Sequence, residues 1–274
     1  MPLSLRVKLE MRRLLGYWPN IDNPKTFNEK IANRKLKQRD DRYKVLTDKW
    51  LAREYVRSKI GENYLSKVYA VISSISELNL ENLPERFVAK PTHQSGKIYF
   101  VDSKTELDKE HFLHVLYEWL HSKYKYGIEQ GEYWYAEIQP KVMFEEWLSS
   151  GRYNVPPDFK FFVFHGKVQA IQVDFSRFTY HTRNFYTRKW QQIPMMHSGY
   201  TNKLINPEEI KPSKLTEMIA VAEALGSDFD FVRVDLYYLF DSNRIVFGEM
   251  TFAPGSGYIR HIPDDYDLKF GELW

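Results

Sequence analysis

The stretch that most constrains this chain lies near its end, residues 231–257, FVRVDLYYLF-DSN-RIVFGEMTFAPGSG. Two alternating runs flank a turn-forming Asp241-Ser242-Asn243, the pattern of an antiparallel hairpin. Successive side chains of a strand point to opposite faces, so Arg233 and Asp235 share one face, and Glu249 and Thr251 share one. The turn decides whether those two faces coincide. A two-residue loop (Ser242-Asn243) sets Glu249 opposite Leu236, on the wrong side from Asp235. A three-residue loop (Asp241 to Asn243) sets Asp235 opposite Glu249 and Arg233 opposite Thr251. It also puts Val246, Met250 and Phe252 against the apolar side of the first strand. The spacing therefore predicts a three-residue loop with Asn243 left-handed, and a square of Arg, Asp, Glu and Thr on the other face.

Two carboxylates crowded on one face repel, and a hard divalent cation with oxygen ligands removes that repulsion. An exposed face carrying ordinary salt bridges fits the same residues, so the hairpin alone leaves both readings open. Pro254-Gly255-Ser256-Gly257 follows directly. It is a flexible loop of small residues whose backbone N–H groups can approach an anion.

Upstream, RFVAKPTHQSGKIYFV (86–101) reads as two strands around a polar turn. A lysine ending a strand before a Ser-Gly turn suits a phosphate: the ammonium meets the charge and loop amides donate hydrogen bonds. TDKWLAREYV opens a predicted helix from Thr47 to Ile60, stopped by Gly61, and offers Lys49. KVMFEEWL (141–148) is a predicted strand running into a loop. FKFFVFHGKVQAIQVDF (159–175) is a predicted hairpin around His165-Gly166, and SRFTYHTRNFYTRKW after it is rich in arginine and aromatics.

Taken together, R-x-D, a hairpin, E-x-T and P-G-S-G resemble the metal-binding end of the ATP-grasp superfamily, of which D-alanine–D-alanine ligase is a familiar member. GEMTFAPGSG, YDLKFGELW at the end and NPKTFNEKI near the start are similar to its TupA-like branch, associated with bacterial surface-polysaccharide and teichuronopeptide synthesis. The resemblance runs over nearly the whole chain. It implies an α+β ATP-grasp fold, two α+β lobes around the nucleotide with a helical N-terminal segment. The corresponding division is 1–62 helical, 63–150 first lobe and 151–274 second lobe with the metal site.

The same resemblance assigns roles. Lys49, Lys90, Ser95 and Gly96 would meet the phosphates of ATP. Glu145, Glu146 and Leu148 match the hinge that greets adenine and ribose, and Asp158 is a looser match for the ribose-binding acid, with Lys160 facing the nucleotide. Asp235 and Glu249 would hold Mg2+, with Thr251 where the ligases carry asparagine. Arg233 and Lys90 would be catalytic. His93, Arg177, Arg183, Ser256 and Gly257 are candidates on the substrate side, the arginines because a guanidinium grips a carboxylate bidentately. Structural ion pairs explain those arginines equally well.

The implied activity is an ATP-dependent carboxylate–amine ligase that forms an amide through an acyl phosphate. Its partners would be a small amino acid or amine and a carboxylate-bearing sugar or polymer. The alternatives are a glycosyltransferase of the same pathway, for which no D-x-D pair flanked by apolar strand residues is found, and a non-catalytic nucleotide-binding protein.

Composition narrows the field further. The absence of cysteine excludes thiolate chemistry, disulfides and a cysteine nucleophile. The 19 Tyr, 18 Phe and 7 Trp are read mainly as core and groove lining, with sugar or base stacking as the sharper alternative. Net charge is only +3, but residues 1–60 hold 16 Lys and Arg against 7 Asp and Glu. That basic segment reads first as a solvated helical surface, and peripheral association with a membrane is the minority reading. No nucleic-acid motif is present, so no nucleic-acid partner is expected. With no long apolar run, the expected location is the cytoplasm, with the inner face of the membrane as the variant.

Overall fold

The computed structural model describes residues 1–150, 155–175 and 180–274. Along the chain, α1 (Leu3–Leu15), α2 (Phe27–Lys37), α3 (Arg42–Thr47) and α4 (Ala52–Ile60) come first. β1 (Val68–Ile72), β2 (Phe87–Pro91), β3 (Tyr99–Val101), α5 (Lys109–Leu120), α6 (Lys125–Glu129) and β4 (Val142–Glu145) follow. The remainder is β5 (Asp158–Phe164), β6 (Lys167–Phe175), β7 (Thr182–Thr187), β8 (Gln192–Ile193), β9 (Met196–His197), α7 (Leu215–Gly226), β10 (Phe231–Leu239), β11 (Arg244–Thr251), β12 (His261–Ile262) and α8 (Asp265–Glu272).

Two antiparallel sheets dominate. The smaller has the order β1-β4-β2-β3, and its own core joins Phe87, Phe112, Leu116 and Phe144 under α5. The larger has the order β11-β10-β5-β6-β7-β8. Its central strand β5 is buried along its entire length, which explains the unbroken apolar run Phe159-Lys160-Phe161-Phe162-Val163-Phe164 around one lysine. α7 packs on β5, β6 and β10.

The other face of the large sheet positions the site. Register pairs Phe231 with Phe164, Arg233 with Phe162, Asp235 with Lys160 and Tyr237 with Asp158. Phe162, Phe164 and Phe231 pack around Phe27 of α2 and Phe270 of α8. One residue pair further along, the same face turns from aromatic to charged. The helices cover the phenylalanines and leave the charges to a cleft.

Residues 27–65 contribute Phe27, Ile31, Tyr43, Leu46, Ala52, Val56 and Leu65 to the core of the large sheet, so this helical segment is built into it. A T-x-x-E capping box opens α2: Thr26 accepts from the Glu29 N–H and the Glu29 side chain accepts the Thr26 N–H. The basic segment is only partly a solvated surface. Arg34 and Lys35 are fully buried, with Arg34 donating to the carbonyls of Phe231 and Phe252 and Lys35 to that of Ser256.

One local expectation is corrected. The helix expected from Thr47 is interrupted, because Asp48 accepts the N–H groups of Trp50 and Leu51 and turns the chain before α4 begins. α5 is capped by Asp108, whose side chain accepts the His111 N–H. Ahead of α7, the Ser213 hydroxyl meets that of Tyr238 and donates to the Asn243 amide oxygen. Among the described residues no helix is long and apolar enough to cross a membrane.

Candidate active site

The site begins with the register of β10 and β11. Asp235 does lie opposite Glu249, and Arg233 opposite Thr251. Asn243 is left-handed, with φ 52°. The cause differs from the expected three-residue loop. Near the turn Leu239 pairs with Arg244, so the loop holds four residues, and that count alone would put the carboxylates out of step. A bulge at Gly248 inserts the missing residue and restores the pairing. A Cβ at Gly248 would stand 3.1 Å from the Asp235 carbonyl oxygen, which is why glycine occupies the bulge. The shift also gives Ile245, not Val246, as the partner of Tyr238.

Strand pairing extends this row across the sheet. Lys160 lies opposite Gln172, Asp158 opposite Asp174, and Asp174 opposite Arg183. Arg233 donates to both oxygens of Asp235, at 2.7 Å each, and to the Thr251 hydroxyl at 3.0 Å. Lys160 bridges Asp158 and Asp235. Glu249 stands 3.5 Å from Arg233. Burial pushes the Asp235 carboxyl up, although Arg233 and Lys160 favour its charged form. Burial works against the charge of Arg233, but Asp235 and Glu249 outweigh it and hold the guanidinium firmly protonated.

A cleft of about 1130 Å³ runs from this row to the small sheet. It brings together Lys49, Lys90, Ser95, Gly96, Glu145, Glu146, Leu148, Asp158, Asp235 and Glu249, ten residues singled out from sequence. Lys90 leaves β2 and ion-pairs with Glu145, whose other oxygen accepts from Ser66 at 2.7 Å. Glu146 is held by the Lys67 N–H and by a two-pronged pair with Arg244 at 2.7 and 2.9 Å. Lys49 donates to the Gln94 carbonyl, and burial pushes its pKa down against the pull of Glu249. Sequence reasoning missed the apolar walls Val88, Met143 and Phe247, and the clamps Ser66 and Arg244. No motif marks them, because ordinary strand residues become lining only once the two sheets face each other.

A second, polar hollow adjoins the first and is lined by Lys160, Arg233, Arg183 and Glu249 together with His181, His197 and His261. Arg183 already grips a carboxylate, that of Asp174, at 2.6 and 3.1 Å, and its remaining nitrogen meets His197 Nδ1 at 2.8 Å. Burial pushes the Asp174 carboxyl up, but His181, Lys160 and Arg183 together hold it well below the usual range. Arg177 lies outside the described residues. His93 is buried away from the cleft, its ring bonded to the Ser122 carbonyl, and burial pushes its pKa down. Ser256 is buried too, and its hydroxyl donates to Glu132. A Cβ at Gly257 would come within 2.9 Å of the Asn28 carbonyl oxygen, so Gly257 serves close packing against α2.

Among the described residues no three His, Asp or Glu side chains form a metal cage. Asp235 and Glu249 nevertheless fit magnesium, which is usually bound through one or two carboxylates plus substrate phosphates and waters. The two carboxylates stand opposite each other and both line the cleft, so a divalent ion there would meet the pair together.

A family model described as TupA-like ATPgrasp matches residues 29–274. A search among curated proteins finds no match. Similar solved structures include D-alanine–D-alanine ligase from Bacillus anthracis complexed with ATP, at 16% identity and TM-score 0.48, covering 84% of this chain and 64% of that one. An L-amino acid ligase from Bacillus licheniformis aligns at 16% identity and TM-score 0.43, covering 79% of this chain and 45% of that one. VanG D-Ala:D-Ser ligase from Enterococcus faecalis aligns at 16% and 0.43, covering 84% and 60%. The chain thus spans less than two thirds of the length of each of these.

Proposed function

This chain belongs to the TupA-like ATP-grasp family, and from that premise we propose that it is an ATP-dependent carboxylate–amine ligase acting through an acyl phosphate. The observation that carries the reading is the charged row of the large sheet facing, across one cleft, the lysines Lys49 and Lys90. A triphosphate needs cations and amide donors on one side and a metal-binding pair on the other, and the cleft offers both.

Lys49, Lys90 and the Ser95-Gly96 turn meet the phosphates. Val88, Met143, Phe247 and Leu148 flank the base, with Glu145 and Glu146 at its polar edge and Asp158 toward the ribose. Magnesium would be held by Asp235 and Glu249 beside Thr251, and when bound it supplies charge neutralisation to the triphosphate. Lys160 keeps Asp158 and Asp235 in place. Arg233 holds the substrate carboxylate and steadies the developing oxyanion. A carboxylate oxygen takes the terminal phosphoryl group from ATP, ADP leaves, and an amine then displaces phosphate to give the amide.

The family association supports an amino acid or other small amine joined to a carboxylate-bearing sugar or polymer of the cell surface. In this reading the first lobe, 63–150, carries the Lys90 turn and the hinge. The second, 151–274, carries the charged row, and 1–62 supports it. The reaction takes place in the cytoplasm, where ATP is available. The test is ADP release with ATP and magnesium over a panel of uronic acids and amino acids, with hydroxylamine added to trap acyl phosphate as hydroxamate. Hydroxamate that depends on both ATP and a carboxylate supports the reading, and its absence across the panel counts against it.

A further inference from the structure

A third hollow, of about 650 Å³, opens on the other side of Arg233 and Glu249. Its walls include Tyr124, Tyr126 and Tyr135, with Glu132 at the back. The rings are set deliberately close: Tyr124 and Tyr135 meet edge to face with centroids 4.7 Å apart. Gly127 permits this, because a Cβ there would come within 2.6 Å of Tyr124 and 2.7 Å of Tyr135. Glu132 is 7% exposed. One of its oxygens accepts the Ser256 hydroxyl, and among the described residues the other accepts no hydrogen bond. The nearby cation Lys35 does not reach it; its ammonium is committed to the Ser256 carbonyl and sits over the Tyr258 ring. A largely buried carboxylate whose second oxygen accepts no protein hydrogen bond, beside tyrosine faces, favours a cation in the hollow.

We propose that this hollow is the subsite for the amine partner, bound as its ammonium, and that Glu132 takes the proton that frees the amine for attack. The inference rests on the ligase reading above and deepens it. Ring faces and the carboxylates of Glu132 and Glu249 attract R–NH3+ against the cations Lys49 and Arg233 that share the lining, and Arg233 and Thr251 join the hollow to the place where the acyl phosphate forms. The ammonium gives one proton to Glu132. The freed lone pair forms the C–N bond to the acyl carbon, the C–O bond to phosphate breaks, and phosphate leaves with that electron pair. The second proton lost from nitrogen ends on the phosphate, so the products are the amide, hydrogen phosphate and protonated Glu132.

Burial pushes the Glu132 carboxyl up to about 7 despite Lys35 and Ser256, which places it near the working pH of a proton acceptor. The tyrosines facing it, Tyr124, Tyr126, Tyr135 and Tyr258, are all held protonated by burial, and the charged groups Lys49, Arg233 and Glu249 line the same hollow.

The test compares two nucleophiles on the same acyl phosphate: glycine ethyl ester, largely an ammonium at neutral pH, and hydroxylamine, largely uncharged there. Glu132→Gln keeps the shape and the Ser256 contact. It should lower the ratio of amide to hydroxamate about 100-fold, the lower bound for a positioned acid–base group. Lys35→Met removes a charge that favours the ionised carboxylate, so the acid limb of amide formation should move to higher pH. An unchanged ratio in Glu132→Gln, or an acid limb that Lys35→Met leaves in place, overturns the proposal while the ligase reading stands. Equal loss of both products in Glu132→Gln would make Glu132 a structural support and overturns it as well. A wild type that yields no hydroxamate from any carboxylate removes the ligase reading and this inference with it.

Discussion

Two short glycine-bearing segments, Ser95-Gly96 and Pro254–Gly257, read alike in the sequence and are built for opposite purposes. Both suggested a flexible turn offering amides to an anion. At Gly96, φ is +74° and an added Cβ would meet nothing within 4 Å; Ser95 beside it is exposed. At Gly255 and Gly257 an added Cβ would strike Ile259 at 2.2 Å and the Asn28 carbonyl oxygen at 2.9 Å, and Ser256 is 2% exposed. Three successive left-handed residues, Gly255, Ser256 and Gly257, curl the second segment under α2. Small-residue composition tells where a backbone can bend and says nothing about whether that bend is free. The first segment is exposed and lines the cleft, and the second is a clasp joining the helical segment to the charged row.

Glu249 adjoins hollows lined by both segments, so it separates chemistry from packing. Glu249→Gln should abolish measurable amide formation while the thermal transition stays near that of the wild type. Losses at such charged positions are about 3 kcal/mol or more, which is read as the fall in kcat. A large drop in melting temperature would instead assign Glu249 to the clasp.

Gly257→Ala should give the next effect, on stability. A left-handed alanine wedged against the Asn28 carbonyl should cost about 3 kcal/mol, seen as a lower denaturation midpoint. If Gly257→Ala unfolds like the wild type, the second segment is not the rigid element described.

Gly96→Ala should cost less, about 1 kcal/mol from backbone conformation alone, and should appear mainly as a raised KM for ATP. A stability loss equal to that of Gly257→Ala would erase the contrast between the two turns. Thr251→Asn should have the smallest effect, with turnover close to wild type and an unchanged or tighter magnesium requirement. Its hydroxyl accepts from Arg233, and an amide oxygen can do the same.

What was legible in the sequence follows from periodicity and motif order. Alternation in β10 and β11 set Asp235 opposite Glu249, as the pairing has it, and ten of the residues that the family resemblance singled out line one cleft. The reason for the register was misread, although an isolated glycine inside a strand is itself a bulge signal and Gly248 is such a glycine. Arg34 and Lys35 counted as surface charge because burial of a cation depends on carbonyls more than 190 residues away, such as that of Phe231. Glu132 carried no signal at all: its setting is made by Ser256 and Tyr124, which only the folded chain brings near. Arg183 was recognised as a carboxylate-gripping arginine, and the carboxylate it grips is Asp174 of its own sheet.

The measurement that bears most directly on the central claim is nucleotide turnover by the wild-type protein, with ATP and magnesium, in the presence and absence of carboxylates and hydroxylamine. The account predicts ADP release that rises with a carboxylate, is matched by hydroxamate, and disappears in Glu249→Gln. Turnover of a uridine-diphosphate sugar without ATP, and no ADP release with any carboxylate, would contradict it.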